Sequence, residues 1–562
     1  MKARLAVYVN SDDALLLWTV DKLDDGCTGF AVQRRRVVNG KAGPPEFIPN
    51  WAPAGPQAHR TGTFASSDAW PFRCFTWTDH SVDPGDNVSY RVIPVIPGAP
   101  ALREDMASDW SKPRLVGLPK DATHQPFFNR GFVISQFMSR YLDEHYPGLD
   151  RDKALKKFKA DIGKQLESQV RVFLSGQVRT TLLGLLDDLQ ASGGQLYAAL
   201  FELNDDELLS RLVKLRGRAH IVLSNGSIDA RTQDENKLAR TALLKAKVDV
   251  EEKHRFIAPK PLGHNKFAVF TDAADNPTAV WTGSTNWTTT GLCTQLNNAL
   301  LIKDPAIAKL YREQWQALRS AHSDHPPELA RANSKPSPAG STSVHFTRAQ
   351  KRVDLKVLRD IVMGANEGVL FLMFVPGASG VLGDVMDLAK AKPKLLVRGV
   401  VSTLPEGRKD EKTGKSTKLR VSVVGGATSG SARPHTFDVV QPEGLTHPAA
   451  GWAVETTRQQ FAHDIGFAII HSKVLVVDPF SDDPTVVTGS HNFSISASED
   501  NDENFVVVRG DKALAEAYAV NVESAWRHYA GRMGNPHPRL QGPKYLNALL
   551  SDQRRQESFW HL

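Results

Sequence analysis

Cysteine is scarce in this chain of 562 residues, and the three cysteines, Cys27, Cys74 and Cys293, lie far apart. That scarcity excludes a disulfide framework and a CxxC metal site, and it favours a reducing compartment. No run of about 18 apolar residues occurs, and the opening residues, MKARLAVYVNSDD, lack the apolar core of a signal peptide. We therefore expect a protein that is cytoplasmic or exported without a cleaved Sec signal, with no transmembrane segment.

Charge of one sign is also in modest excess, because 69 Lys and Arg residues against 62 Asp and Glu residues leave a formal net charge of +7. Such an excess suits an anionic substrate or surface, but it is common among soluble proteins and selects no function by itself. What the chain does have is length and apolar content. With 41% hydrophobic residues, it can form several packed domains.

A short motif occurs twice. In each copy a His and a Lys lie two apart at the start of an apolar run that is typical of a buried strand, and a Gly-Ser-x-Asn turn follows a second apolar run. The copies are His264-Asn265-Lys266 with Gly283-Ser284-Thr285-Asn286, and His471-Ser472-Lys473 with Gly489-Ser490-His491-Asn492.

The residue types in this motif point to phosphate chemistry. At period 2 the His and Lys share one face of the strand, and a hairpin would bring the hydroxyl and the amide beside them. Doubled, the motif supplies two imidazoles for nucleophile and acid roles, with two ammonium groups and several donors to hold a phosphate. A single His-x-Lys pair is most often a surface pair, but recurrence with the same turn favours a site.

The doubled pattern resembles the paired HxKxxxxD motifs of the phospholipase D superfamily, over residues 120 to 540 in two tandem halves. The second copy fits this motif fully, with Asp478 at its last position. In the first copy Thr271 stands at that position and Asp272 follows it, which predicts a bulge in the strand.

The halves also differ further along the chain. Glu503 lies 13 residues past Ser490, where related bacterial enzymes carry a carboxylate that orients a catalytic His. The same count from Ser284 reaches Asn297, so the two halves are not chemically equivalent.

The resemblance implies a phosphodiesterase that works through a phosphohistidine, with His264 as nucleophile and His471 as acid and base. It implies no cofactor and no metal, because the lysines and amides would supply the electrostatics that a divalent cation otherwise gives. Activity should then survive a chelator. The expected catalytic residues are His264, His471, Lys266, Lys473, Asn286, Asn492 and Glu503, and the expected supporting residues are Asp478, Asp272, Ser284 and Ser490.

Three interpretations of the function remain open. Two motifs in one chain are, by resemblance, typical of members that hydrolyse or transfer phospholipid head groups, and we expect such a substrate. The sequence Gly-Ser-His-Asn-Phe-Ser resembles the bacterial nuclease branch of the superfamily, which makes DNA or RNA the alternative substrate. A catalytically inert binding module ranks last, because both His-x-Lys pairs are intact. We expect a monomer with no obligatory protein partner, and a peripheral membrane contact would suit a lipid substrate.

Residues 1–118 alternate apolar and polar over short runs, which indicates an all-β sandwich. The stretch 83–92 resembles the end of a fibronectin type III domain, with Trp18 as the core tryptophan and Tyr90 as the corner tyrosine. The expected fold is α/β, with two phospholipase D-like α-β-α halves related by pseudo-twofold symmetry behind that sandwich. The predicted boundaries are sandwich 1–118, helical connector 119–168, first half 169–322, linker 323–343, second half 344–535 and C-terminal tail 536–562.

Both halves show alternating strand and helix patterns. The first predicts strands at 170–174, 195–203 and 219–224 and helices at 180–190, 206–215 and 305–320. The second predicts strands at 344–346, 368–375 and 395–402 and a helix at 354–363. Tyr311 and Tyr518 are 207 residues apart, the same offset as His264 and His471, so the duplication extends beyond the motifs.

Overall fold

The computed structural model of the chain describes residues 1–50, 64–98, 101–131, 141–142, 144–257, 260–335, 337–377, 379–402, 407–409, 416–418, 437–440, 470–532 and 542–562. The chain divides into two compact units. The first unit comprises Met1–Pro119, Val423–Asp438 and Glu516–Leu562, and the second comprises Lys120–Ser422 and Val439–Ala515. Between Leu404 and Glu455 the sequence of the second half carries an insertion with several Lys and Arg residues that the first half lacks, and most of this insertion lies outside the described residues.

The N-terminal part of the first unit consists of short strands and one 3-10 helix in the described residues. Strands β1, β2 and β8 form one antiparallel sheet, and β10, β9, β3 and β4 form another, with β5 also pairing with β3. The strands are β1 (Ala3–Val9), β2 (Ala14–Val20), β3 (Gly29–Val38), β4 (Lys41–Ala42), β5 (Glu46–Phe47), β6 (Pro49–Asn50), β7 (Ala65–Ser66), β8 (Thr76–Asp79), β9 (Asn87–Val95) and β10 (Arg114–Leu115).

Aromatic side chains fill the core of this unit. Trp18 and Tyr90 are both fully buried, and Trp18 meets Phe30 edge to face at a ring-centroid distance of 5.8 Å. The Tyr90 hydroxyl donates to Asp79 Oδ2 at 2.9 Å, so its polar end is satisfied. That this unit is a fibronectin type III domain stays a prediction.

The chain's last helix, Gly542–Arg554, belongs to the same core, although the sequence suggested a tail there. Leu546 and Leu550 are buried in the cluster that contains Trp18. Beyond the helix, the Tyr8 hydroxyl donates to the carbonyl of Trp560 at 2.5 Å. The apolar spacing of Leu546 and Leu550, four residues apart, marks the helix face that packs inward.

Two mixed sheets form the second unit, and they repeat the same order of pairing. The first runs β11-β17-β16-β15-β12-β13-β14, and the second runs β18-β19-β27-β26-β25-β20-β21-β24. In both, two strands run parallel at one side (β12 with β13, β20 with β21) and the motif strand pairs antiparallel with the first of them. A twofold axis between the two sheets stays a prediction.

The strands of the first sheet are β11 (His124–Phe128), β12 (Leu196–Leu200), β13 (Ala219–Leu223), β14 (Asp249–Val250), β15 (Lys266–Thr271), β16 (Pro277–Gly283) and β17 (Asn298–Ile302). Those of the second are β18 (Ser337–Ala339), β19 (Thr342–Phe346), β20 (Gly368–Met373), β21 (Leu396–Val401), β24 (Phe437–Val440), β25 (Val474–Val477), β26 (Thr485–Gly489) and β27 (Asn504–Arg509), and β22 (Gly407–Lys409) pairs with β23 (Ser416–Lys418).

The α-helices of the described residues, in both units, follow in chain order. They are α1 (Arg151–Lys164), α2 (Gln169–Ser192), α3 (Asp206–Leu215), α4 (Lys237–Lys245), α5 (Thr289–Cys293), α6 (Pro305–Ser320), α7 (Pro327–Asn333), α8 (Val353–Met363), α9 (Val381–Ala391), α10 (Ile495–Glu499), α11 (Lys512–Arg532) and α12 (Gly542–Arg554). Helix α6 shows why they begin where they do: Asp304 accepts from two N–H groups of the first turn, and Pro305 occupies a first-turn position.

The predicted strand at 170–174 is wrong, because α2 covers it. Its apolar residues fit period 2 over five positions, but Val170, Leu174, Val178 and Leu182 are the buried side chains, at helical spacing. The first strand of this sheet is instead β11, inside the stretch expected to be a helical connector.

The linker expected at 323–343 is also more ordered than its Pro, Ser and Ala content suggested. Pro327 starts α7, where a missing N–H costs no helical hydrogen bond, and the end of the stretch forms β18 and the start of β19. Within the described residues, none of the helices is both long enough and apolar enough to cross a membrane.

We predict that Leu550→Ala destabilises the first unit by about 2–4 kcal/mol, because it leaves a cavity in a core that includes Trp18. Urea unfolding followed by tryptophan fluorescence measures the change. Lys544→Ala, an exposed position on the same helix, is the control and should change the midpoint little. Equal stability of the two variants would contradict the assignment of this helix to the core.

Candidate active site

Each motif places its His and Lys at the start of a central strand. Lys266 is the first residue of β15, and Lys473 directly precedes β25. All four His and Lys side chains are buried, at 2% exposure or less. The strands are continuous apolar runs covered on both faces, as expected for central positions in a layered fold.

The structure brings the two motif histidines together. The ring centroids of His264 and His471 lie 6.5 Å apart, with the ring planes at 70°. Each ring also meets a phenylalanine edge to face: Phe201 lies 5.0 Å from His264, and Phe374 lies 4.9 Å from His471. The phenylalanines follow β12 and β20, so corresponding positions of the two sheets flank the imidazoles.

Each motif imidazole is hydrogen-bonded to a side chain that belongs to the other half of the second unit. His264 Nδ1 donates to Glu503 Oε2 at 2.8 Å. His471 Nδ1 donates to Asn297 Oδ1 at 2.9 Å and to the carbonyl of Ser284 at 3.1 Å. Because these oxygens accept a hydrogen bond from Nδ1–H, each ring keeps a proton on Nδ1, and Nε2 is the nitrogen that would bond to phosphorus or exchange a proton.

Glu503 is fully buried and well supported. Its Oε1 accepts from Asn501 Nδ2 at 3.1 Å, and its backbone N–H donates to the Thr347 hydroxyl at 3.0 Å. Burial raises the pKa of Glu503 to about 7, against the opposing attraction of the Lys266 ammonium. This carboxyl therefore titrates close to neutral pH.

The two lysines have matching surroundings. Lys266 Nζ donates to the carbonyl of His264 at 2.8 Å and lies 5.1 Å from the Phe201 ring centroid. Lys473 Nζ donates to the carbonyl of His471 at 2.5 Å and lies 4.9 Å from the Phe374 ring centroid. The aromatic faces and the carbonyls stabilise two buried ammonium groups beside the imidazoles.

The Gly-Ser turns pack tightly against the next strand. A Cβ on Gly283 would come within 2.5 Å of the Asn298 carbonyl oxygen, so a side chain is excluded there. Ser284 Oγ donates to Asn297 Oδ1 at 2.8 Å and accepts from the Asn298 N–H at 3.0 Å. Ser490 Oγ accepts from the Asn504 N–H at 3.0 Å. Both serines thus fix the segments that hold the imidazoles.

The motif asparagines differ in their partners. Asn286 Nδ2 donates to Glu202 Oε2 at 2.6 Å, and its buried Oδ1 has no hydrogen-bond partner among the described residues. Asn492 is half-buried, and its Oδ1 likewise has no partner in that part of the chain. The position after Phe374 is Val375, so the second half carries no counterpart of Glu202.

The two aspartates of the motifs lie away from the imidazoles. Asp478 accepts from the backbone N–H groups of Asn366, Glu367 and Gly368 at 2.7–2.9 Å, which fixes the entry to β20. Asp272 is exposed and closes the turn before β16 through Asn276. A supporting role of Asp272 in the site stays a prediction.

Thr271 replaces the missing aspartate of the first motif. Its hydroxyl accepts from the Gln195 N–H, directly before β12, at 2.9 Å. The register of β15 against β16 shifts between Phe270 and Thr271, but the extra residue, Thr278, lies in β16 and not in the motif strand for which the bulge was predicted.

Further hydrogen bonds join the two sheets beneath the imidazoles. Asn298 Nδ2 donates to the Thr488 hydroxyl at 2.7 Å, and the Thr282 hydroxyl donates to Asn504 Oδ1 at 2.7 Å. Asn504 Nδ2 also donates to Asn265 Oδ1 at 2.8 Å. These buried, hydrogen-bonded amides connect the two sheets close to the motif residues.

Sequence reasoning missed several residues of the site. Counting 13 residues from Ser284 identified Asn297 as the position where the first half lacks a carboxylate. It did not identify Asn297 as the hydrogen-bond partner of His471. Phe201 and Phe374 could have been found from their equivalent places after the second strand of each half. No sequence pattern indicates Glu202, because its contact with Asn286 forms only in the folded chain.

We predict that Asp478→Ala lowers the free energy of unfolding of the second unit by about 2–3 kcal/mol, because three backbone N–H groups lose their acceptor. Asp272→Ala, which changes an exposed turn, should cost less than about 1 kcal/mol. Urea unfolding of both variants measures the difference. A larger loss in Asp272→Ala would contradict these assignments.

Sequence comparisons match part of the chain. A family profile described as "Cardiolipin synthase, PLD-like domain" matches residues 185–319 and 438–526, less than half of the chain. A phospholipase D of Rickettsia prowazekii is 39% identical over 67 residues, which are 11% of this chain and 30% of that protein. The chain thus spans less than a third of that relative's length.

Similarity to solved structures is weaker. Polyphosphate kinase from Porphyromonas gingivalis is 12% identical, with a TM-score of 0.40 over 68% of this chain and 54% of its own. Phosphatidylserine synthase from Haemophilus influenzae is 9% identical, with a TM-score of 0.38 over 68% and 92%. Nuc, a phospholipase D family member from Salmonella typhimurium, is 20% identical, with a TM-score of 0.21 over 25% and 89%. These TM-scores are too low to carry an argument, and it is the family profile and the Rickettsia protein that support the phospholipase D superfamily for this chain.

Proposed function

We propose that the protein is a phospholipase D-type phosphodiesterase that acts through a phosphohistidine. The observation that carries this proposal is the pair of facing imidazoles, His264 and His471, with Nδ1 of each tied to an acceptor. Such a pair suits a two-step displacement, in which one ring attacks phosphorus and the other handles the protons.

The difference between Glu503 and Asn297 favours His264 as the nucleophile. The carboxylate on Nδ1 increases the electron density of the His264 ring and can take up its proton once Nε2 bonds to phosphorus. The neutral amide on His471 gives no such support to a covalent adduct. His471 is therefore assigned as acid and base.

In the first step, His264 Nε2 forms a bond to phosphorus, and the phosphorus–oxygen bond to the leaving alcohol breaks. His471 starts the cycle as the imidazolium, with protons on both ring nitrogens, and it donates its Nε2 proton to the departing oxygen and becomes neutral. In the second step, a water oxygen attacks phosphorus while His471 takes its proton, and the phosphorus–nitrogen bond breaks. Lys266 and Lys473 offer ammonium donors to the non-bridging oxygens, where negative charge develops.

A phospholipid is the substrate class that we favour. Two motifs in one chain and the names of the matched profile and relative, a cardiolipin synthase domain and a phospholipase D, support it. Hydrolysis and head-group transfer share the first step and differ only in whether water or another alcohol attacks second. A nucleic acid is the alternative substrate, suggested by the amino-acid sequence around Gly489–Asn492.

Choline release from phosphatidylcholine vesicles in EDTA tests the proposal directly. We expect release by the wild type and a loss of at least about 10³-fold in His264→Ala, because the variant cannot form the covalent intermediate. Turnover lost in EDTA and restored by zinc or magnesium would contradict a metal-independent mechanism.

A generic chromogenic phosphodiester separates the outcomes. Cleavage of that diester without choline release would move the substrate class to nucleic acids, and plasmid nicking would then measure it. Absence of cleavage of any diester by the folded wild type would contradict the proposed activity altogether and favour a binding module.

We predict that Glu503→Gln lowers kcat by about 10²–10⁴-fold, because a neutral amide cannot support the His264 ring as a carboxylate does. With the pKa of Glu503 at about 7, wild-type kcat/KM should fall as the pH drops through that value and the His264–Glu503 pair takes up a proton. This acidic limb should move to lower pH in the variant.

Glu499→Gln is the matched control, because it makes the same chemical change on a largely exposed side chain. Its pH profile should equal that of the wild type. An unchanged acidic limb in Glu503→Gln, with the Tm of the variant preserved, would contradict the assigned role of Glu503.

A further inference from the structure

We propose that Glu251, His254 and His322 form a zinc site in the second unit, separate from the candidate active site. One ligand atom from each residue lies within 4.8 Å of the others. Two imidazoles and one carboxylate are a set that binds Zn²⁺, with a water in the fourth position.

The fold brings these residues together from two distant segments. Glu251 and His254 lie in the loop after β14, and His322 follows the C-terminal end of α6. The spacing of the first two is short, but the third ligand lies 68 residues beyond His254. No sequence motif therefore indicated the cluster.

The hydrogen bonding of His254 determines which of its ring nitrogens could bind a metal. The residue is fully buried, and its Nε2 donates to the carbonyl of Arg319 at 3.0 Å. A carbonyl accepts only, so the proton resides on Nε2 and the lone pair on Nδ1. That buried Nδ1 has no hydrogen-bond partner within the described residues. Histidines that bind metals commonly donate their other N–H to a backbone carbonyl in this way.

The two carboxylate oxygens of Glu251 have different neighbours: one lies near the Arg319 guanidinium, and the other lies near His322. Oε1 lies 3.4 Å from Arg319 Nε, and Oε2 lies 3.3 Å from His322 Nδ1. Ligands on a tetrahedral zinc with bonds of about 2.0–2.1 Å are roughly 3.3 Å apart, so this pair is already at ligand spacing. The His322 side chain is largely exposed and can turn toward the ion.

The positive charges of the neighbouring Arg319 and Arg255 are balanced by carboxylates. Arg319 also pairs with Asp249, Nη2 to Oδ1, at 2.6 Å. Arg255 Nε donates to the buried Asp502 at 3.0 Å, and Arg255 Nη1 donates to the carbonyl of His322 at 2.9 Å. A zinc ion would thus stiffen the segment that holds Asp502, the residue before Glu503, in a stabilising role that is separate from catalysis.

The test is zinc binding by the full chain after metal removal with EDTA and exchange into chelator-free buffer. Isothermal titration should give one Zn²⁺ per chain, and the Tm should rise with zinc concentration. His322→Ala and Glu251→Gln should weaken zinc binding by at least roughly 100-fold and abolish the rise in Tm. Both change exposed or half-buried side chains, so the fold should be kept.

Two control variants identify where the ion binds. His561→Ala removes an exposed histidine of the first unit and should bind zinc like the wild type. His264→Ala should also keep the site, because the candidate catalytic imidazoles are not its ligands. Loss of binding in His264→Ala, unchanged binding in His322→Ala, or no binding by the wild type would each overturn the proposal.

Discussion

The exchange of hydrogen-bond acceptors between the two motif segments is the interaction on which the rest of the candidate site depends. Glu503, after the second motif, holds His264, and Asn297, after the first, holds His471. Neither sheet alone contains a motif imidazole together with the acceptor of its Nδ1 hydrogen bond. The buried amides of Asn298 and Asn504 add further hydrogen bonds between the two sheets. A working arrangement therefore requires both sheets at once, which explains why the chain carries two copies of the motif.

Similar backbones carry different electrostatics in the two halves. Phenylalanines, lysines and Gly-Ser turns occupy matching places around His264 and His471, but a carboxylate faces one ring and an amide faces the other. Glu202 adds a second carboxylate on the Asn286 side, where the other half has Val375. In a buried region of low dielectric, such single-charge differences separate the proton affinities of otherwise equal groups. Corresponding positions of the two sheets thus have different electrostatic surroundings.

Much of this architecture was readable from local sequence, and the exceptions have physical causes. Helices 206–215 and 305–320 match the predicted bounds, because capping aspartates and strong 3.6-residue periodicity mark them. The run at 170–174 was misread because five residues cannot distinguish a buried strand from a buried helix face. The partners of the two imidazoles depend on contacts between residues about 170–240 positions apart in the chain, which no local pattern encodes.

The contribution of Leu546 and Leu550 to the core around Trp18 also affects how the protein is made. The ribosome delivers strands β1 to β10 before these leucines, with more than 400 residues between β10 and Leu546. At roughly 5–20 residues per second, the interval is on the order of tens of seconds. During that time the strands around Trp18 expose part of their apolar core while the second unit emerges and can already fold. Chaperone binding to the nascent chain should therefore persist until the final helix leaves the exit tunnel.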